Sequence, residues 1–249
     1  MSGHSKWATI KRKKAANDAR RSNQFAKLLR AVEVAAKEGG GDPTANMTLA
    51  SAVEKAKASS VPNDNIERAI KRGSGADANA AKYEEITYEG YAPGGIALFV
   101  EALTDNRNRT AQDVRHAFTR NGGNLGETGS TAWMFTRKGV IVVEKDAAPD
   151  DERLFEVAIE AGAEDLNDAE SSWEVVTEPT ALAAVRDALR GAGVELFSAE
   201  LTMLPQSTIP VDGGEARKVL QLIEGLEDLE DVQNVYANFD IPEEVMASL

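Results

Sequence analysis

Residues 139–204 read GVIVVEKDAAPDDERLFEVAIEAGAEDLNDAESSWEVVTEPTALAAVRDALRGAGVELFSAELTML. Strand-like and amphipathic runs alternate through this stretch. Gly139–Glu144 reads as a strand and Asp151–Ala161 as a helix. Ala163–Ala169 and Trp173–Thr177 read as two strands, Pro179–Gly191 as a helix, and Val194–Leu204 as a strand. The order β-α-β-β-α-β is that of a ferredoxin-like split βαβ unit.

Upstream, Glu84–Tyr91 and Gly95–Leu103 form strands joined at Ala92-Pro93-Gly94, a hairpin. A helix from Arg109 to Asn121, a glycine-rich loop (Gly122–Gly129) and a strand at Thr131–Thr136 follow. Downstream lie a helix, Gly214–Leu226, and a strand, Val232–Phe239. These last two would complete the upstream elements as a second α/β sandwich. Residues 137–204 are therefore expected as an insertion into a domain made of 79–136 plus 205–249. Two sequential domains are the alternative by element counting.

Residues 1–78 read as a helical domain. Ser22 or Asn23 can cap a helix through Lys37, with Phe25, Leu28, Leu29, Val32 and Ala36 on one side. Gly39-Gly40-Gly41-Asp42-Pro43 stops it. A second helix spans about Thr44 to Ser59, and a third, capped by Asn63 or Asp64, carries Ile66, Ala69 and Ile70. Short amphipathic helices bury their stripes against one another, so a small bundle follows. The fold class expected is α+β: an N-terminal three-helix bundle followed by two α/β sandwich domains, at least one ferredoxin-like.

The chain has 249 residues and a net charge of −13. Its first thirty residues nonetheless hold nine Lys/Arg and one acid, Asp18. Divided at Gly75, the N-terminal part carries a net +8 and the remainder −21. A basic block on an acidic body points to a polyanion as partner. There is no cysteine, which excludes disulfides, zinc–thiolate sites and thiol nucleophiles and suits a reducing cytosol. No apolar run approaches the roughly 18 residues a membrane helix needs.

Catalytic constellations are weak. His4 and His116 fall in different predicted domains and lack metal-binding spacing. Gly73-Ser74-Gly75-Ala76-Asp77-Ala78 follows a helix, whereas a dinucleotide fingerprint follows a strand. Residues 122–129 lack the Lys-Ser/Thr of a P-loop; they could present backbone N–H groups to an anion or form a plain hairpin loop. The run Glu224, Glu227, Asp228, Glu230 and Asp231 reads as a solvated face. No catalytic residue, metal, cofactor or small-molecule substrate is expected.

Two segments fit nucleic acid. The first holds His4, Lys6, Trp7, Lys11, Arg12, Lys13, Lys14, Arg20 and Arg21, extended along the first helix by Lys27 and Arg30. Trp7 could stack on a base or pack on the bundle. The second is Thr104-Asp105-Asn106-Arg107-Asn108-Arg109-Thr110, between a strand and a helix. Asp105, Asn106 or Asn108 can cap that helix, and Asn106, Arg107 and Arg109 could also bond phosphate or base edges.

These stretches carry a resemblance. Gly3-His4-Ser5-Lys6-Trp7-Ala8, Ile10-Lys11, Lys13-Lys14 and Asp42-Pro43 are part of it. So are residues 62–71 (PNDNIERAIK), Tyr88-Glu89-Gly90-Tyr91, residues 103–109 (LTDNRNR) and Trp133-Met134-Phe135. Together they resemble the YebC family, also called PmpR-type proteins, over nearly the whole chain. The resemblance implies a helical domain and two α/β domains without catalysis. It implies a probable DNA-binding transcriptional regulator. It also admits a translation factor contacting ribosomal RNA and relieving stalling at proline runs, since members include the mitochondrial translational activator of cytochrome c oxidase. The family motif begins at residue 2, which leaves no transit peptide and favours a bacterial, cytoplasmic protein.

Overall fold

The computed structural model describes residues 18–75, 83–147, 150–169 and 171–241, with side chains in the first helix from residue 22 onward. Three helices come first: α1 (Asp18–Gly39), α2 (Met47–Ala58) and α3 (Asn63–Ser74). Val32, Ala35 and Ala36 of α1, Leu49 and Ala56 of α2, and Ile66 and Ala69 of α3 form one buried core. Phe25, Leu28, Leu29, Val53 and Ile70 pack around it. The helical spacing of these residues is what lets three stripes close on each other. α1 and α3 approach closely at Gly73, where a Cβ would strike the Glu33 carbonyl oxygen.

The helix starts differ from expectation for local reasons. The described part of α1, from Asp18, already contains Ser22 and Asn23, so neither caps it. α2 begins at Met47 because the Asn46 side chain accepts from the Leu49 N–H at 3.1 Å. Thr44 is instead held in a turn, its N–H donating to Asp42 at 2.9 Å. Asn63 and Asp64 lie inside the first turn of α3, whose cap position is Pro62.

Next come β1 (Glu84–Tyr91), β2 (Ala97–Thr104), α4 (Arg107–Arg120) and β3 (Asn124–Leu125). They are followed by β4 (Phe135–Glu144), α5 (Asp151–Glu160), β5 (Ala163–Asp168), β6 (Ser172–Thr177), α6 (Leu182–Gly191) and β7 (Ser198–Pro205). The chain then forms β8 (Ile209–Pro210), α7 (Gly213–Glu227), β9 (Val232–Ala237) and β10 (Phe239–Asp240). The class is the expected mixture of an N-terminal helical bundle and two antiparallel α/β layers.

One sheet has the order β3-β1-β2-β9. β1 and β2 are an antiparallel hairpin in register from Glu84↔Thr104 to Tyr91↔Ala97. Val114 and Phe118 of α4, Leu222, Ile223 and Leu226 of α7, and Leu98 and Val100 of β2 are all fully buried. Gly90 and Gly123 lack the Cβ that would strike the Phe118 ring.

The other sheet has the order β5-β6-β4-β7, with every neighbouring pair antiparallel. That is the split βαβ arrangement read from residues 139–204. Ile141, Val143 and Val175 meet Leu154 and Ala158 of α5 and Val185 and Leu189 of α6. Phe155 packs edge-on to Trp173, with ring centroids 4.8 Å apart.

Two strand expectations are corrected. Thr131–Thr136 is not a strand of the first sheet: Ala132–Met134 is a 3-10 turn, and Phe135 begins β4 of the second. Phe135 to Lys138 pair with Pro205 to Thr202 of β7, which draws these residues into the long strand. Asn124–Leu125 pairs with β1 instead. Val232–Phe239 is also not one strand, since Phe239 pairs in parallel with Ile209 in a separate two-stranded ladder. Among the described residues, one compact unit holds 18–130 and 214–235, and the other 131–213 and 236–241.

Candidate nucleic-acid interface

His4, Lys6, Trp7, Lys11, Arg12, Lys13 and Lys14 lie outside the described residues. Arg20 and Arg21 lie in α1, with side chains outside the description. Of the remaining candidates, Lys27, Arg30 and Arg109 meet the segment from the end of α7 to β9.

Asn23, Lys27 and Arg30 are spaced four and three residues apart, so they share one face of α1. Asn23 Nδ2 donates to the Asp228 carbonyl at 2.9 Å, and Lys27 Nζ donates to the Glu227 carbonyl. Both carbonyls belong to the C-terminal end of α7, where C=O groups lacking an intrahelical donor favour side-chain donors and cations. Arg30 reaches further. Its guanidinium donates to Asp231 Oδ1 at 2.9 Å, Glu230 Oε1 at 2.7 Å and the Leu103 carbonyl at 3.2 Å. It also lies over the Tyr83 ring, 5.1 Å from its centroid.

The 104–110 segment converges on the same carboxylate. Asn106 is the cap of α4, its side chain accepting from the Arg109 N–H at 3.2 Å. Asp105 instead pairs with Arg109 one turn along, at 2.8 Å. Arg109 donates to Asp231 Oδ2 at 2.8 Å. The Thr110 and Thr104 hydroxyls donate to that oxygen at 2.7 and 3.2 Å. The Leu103 N–H donates to the Asp231 carbonyl at 2.8 Å, which fixes its backbone as well. Arg107 points elsewhere: it is 70% exposed and 3.7 Å from Glu84.

Asp231 is therefore not part of a solvated face. Only 4% of it is exposed. Burial pushes its carboxyl up, but hydrogen bonds from Arg109 and Thr110 and the Arg109 charge outweigh that and hold it below the ordinary carboxylate range. Arg109 is correspondingly raised, first by its hydrogen bond to Asp231 and then by that to Asp105. Glu230, 71% exposed, keeps the solvated character expected of the run. The local signal for Asp231 is its position, immediately before the apolar strand β9.

Among the described residues, no group of three or more His, Cys, Asp or Glu is placed to hold a metal ion. Nor is any helix among them long and apolar enough to cross a membrane.

Residues 5–76 match the family model described as the TACO1/YebC protein N-terminal domain, and residues 83–239 that of the TACO1/YebC second and third domain. The chain belongs to the TACO1/YebC family. A YebC-family relative from Rubrobacter xylanophilus is 58% identical over 249 residues, covering 100% of this chain and 99% of its own. One from Mycolicibacterium gilvum is 57% identical with the same coverage. Both are named probable transcriptional regulatory protein. The crystal structure of a conserved hypothetical protein from Aquifex aeolicus is similar, with a TM-score of 0.79 and 46% identity over 90% of this chain and 92% of that one.

Proposed function

We propose that this chain is a nucleic-acid-binding regulator of gene expression, that it acts without catalysis in the cytoplasm, and that its partner is duplex DNA. The observation that carries the reading is the charge division: a net +8 before Gly75 in a chain of net −13. The names of the relatives from Rubrobacter and Mycolicibacterium agree with it. The contacts proposed are His4, Lys6, Trp7, Lys11, Arg12, Lys13, Lys14, Arg20 and Arg21, continued by Lys27 and Arg30. Asn106, Arg107 and Arg109 are proposed as further contacts, with Arg107 the more exposed arginine and Arg109 having to exchange Asp105 and Asp231 for phosphate. Phosphate contacts of this kind position a protein on the duplex.

A second reading is contact with ribosomal RNA during translation, and α3 bears on the choice because a DNA-reading helix would need its side chains free. Arg68 donates to Asn65, and Arg72 pairs with Glu33 at 2.9 Å. A helix that reads base edges directs such side chains into the major groove instead. Footprinting on promoter fragments against non-specific competitor tests the first reading, and protection of defined sequences is expected. Equal affinity for every duplex, together with co-sedimentation with ribosomes at moderate salt, would establish the second.

A further inference from the structure

The cations of α1 are held by a segment that resembles their proposed ligand. Glu227 and Asp228 offer carbonyl oxygens to Lys27 and Asn23, and Glu230 and Asp231 offer carboxylates to Arg30. An anionic strand of closely spaced oxygens is also what a phosphate backbone presents. The core of the bundle is built from its own residues, Val32 through Ala69. Along Glu227–Asp231 the seam is closed by bonds from the long polar side chains Asn23, Lys27 and Arg30, with Val34 buried one turn further along that face. An apolar interface resists salt and anions, whereas charged groups can exchange one anion for another.

We propose that Glu227–Asp231 is an internal competitor for nucleic-acid phosphate. It holds the Lys27–Arg30 face of α1 in a closed arrangement. A phosphate backbone that takes over these cations releases the bundle from the sheet. The exposed Glu230 is the point of entry, since water and ions already reach it, and Asp231 exchanges last. This regulation rests on the nucleic-acid reading above; the salt-sensitive seam itself does not.

The test is a spin-label distance across the seam. Ser51→Cys on α2 and Gln112→Cys on α4 are both at exposed positions, and the chain has no cysteine of its own to compete for label. Without nucleic acid, the distance should lengthen as NaCl rises from about 0.1 M to about 1 M, over which the screening length falls from about 10 Å to about 3 Å. Glu230→Gln should move that opening to lower salt without unfolding the chain. A distance indifferent to both salt and the substitution overturns the latch, whatever the protein binds. At low salt, a short duplex or an RNA hairpin should lengthen the distance, and Glu230→Gln should tighten binding by up to about fivefold, the most that one exposed ion pair is worth. Binding with an unchanged distance and unchanged affinity in the variant overturns internal competition alone. Salt-driven opening with no affinity for either nucleic acid supports the seam as a switch and overturns the proposed function.

Discussion

Arg30 and Asp231 meet at 2.9 Å although 201 residues separate them, and their side chains are only 11% and 5% exposed. Each would be unfavourable at that depth alone. Together with Arg109, Thr104 and Thr110 they form a node joining α1, the β2–α4 turn and the entry to β9. Asp231→Ala should therefore lower stability by about 3 kcal/mol, because it removes the one buried carboxylate that Arg30 and Arg109 share. Glu230→Gln, at the exposed end of the same guanidinium, should lower it by less than about 1 kcal/mol. Urea unfolding of the two variants measures the contrast. Equal losses would mean that the node does not distinguish its buried from its exposed partner.

The same carboxylate makes stability depend on pH. Its folded pKa lies below the unfolded value near 3.8. A depressed carboxyl contributes fully above the unfolded value and loses that contribution as pH falls through it towards the folded one. Stability should thus be flat in this respect above about pH 5 and decline below about pH 4. Asp231→Asn should flatten part of that acid limb. Urea midpoints from pH 6 down to pH 2.5 would show this, and parallel curves for the variant and the parent would refute it.

Asn46 is buried and bonded in three directions. Its oxygen caps α2, and its amide nitrogen donates to the Ala35 carbonyl at 2.8 Å and the Gly40 carbonyl at 2.9 Å. Asn46→Ala should cost about 2–3 kcal/mol through the lost cap and the unsatisfied carbonyls. Asn46→Asp keeps the cap acceptor but cannot donate, so it should be destabilising too. If the Asn46→Asp variant matched the parent in thermal unfolding, the two donated bonds would contribute little.

Binding to a duplex should weaken steeply with salt. Neutralising about six phosphates gives a log–log slope of about −4 to −5. Removing residues 1–21 should abolish binding while the far-ultraviolet spectrum stays that of the folded chain. Retained affinity with the same slope in fluorescence titrations would move the interface away from the N-terminus.

The sequence made legible whatever is decided by neighbours along the chain. The stripes of α1 to α3, the hairpin at Pro93 and the β-α-β-β-α-β order follow from spacings of two to four residues, which local geometry enforces. The N-terminal charge excess is legible for the same reason. Strand limits near residues 131–144 were not. Whether Phe135 opens a new strand or closes an old one depends on β7, seventy residues away, offering Pro205 to Thr202 as partners.

Asp231 marks the same division more sharply. By itself the sequence determined an acidic run after the 214–226 helix and a basic one at the opposite end of the chain. Nothing local separates Asp231 from Glu230 or Asp228 beyond its place beside β9. Only the tertiary structure decided that one carboxylate is buried against two guanidinium groups while its neighbour stays in water. The reason is physical: the β1–β2–β9 pairing carries Asp231 to the edge where α1 and α4 end their reach. A charge taken out of water persists only where its partners are already in position.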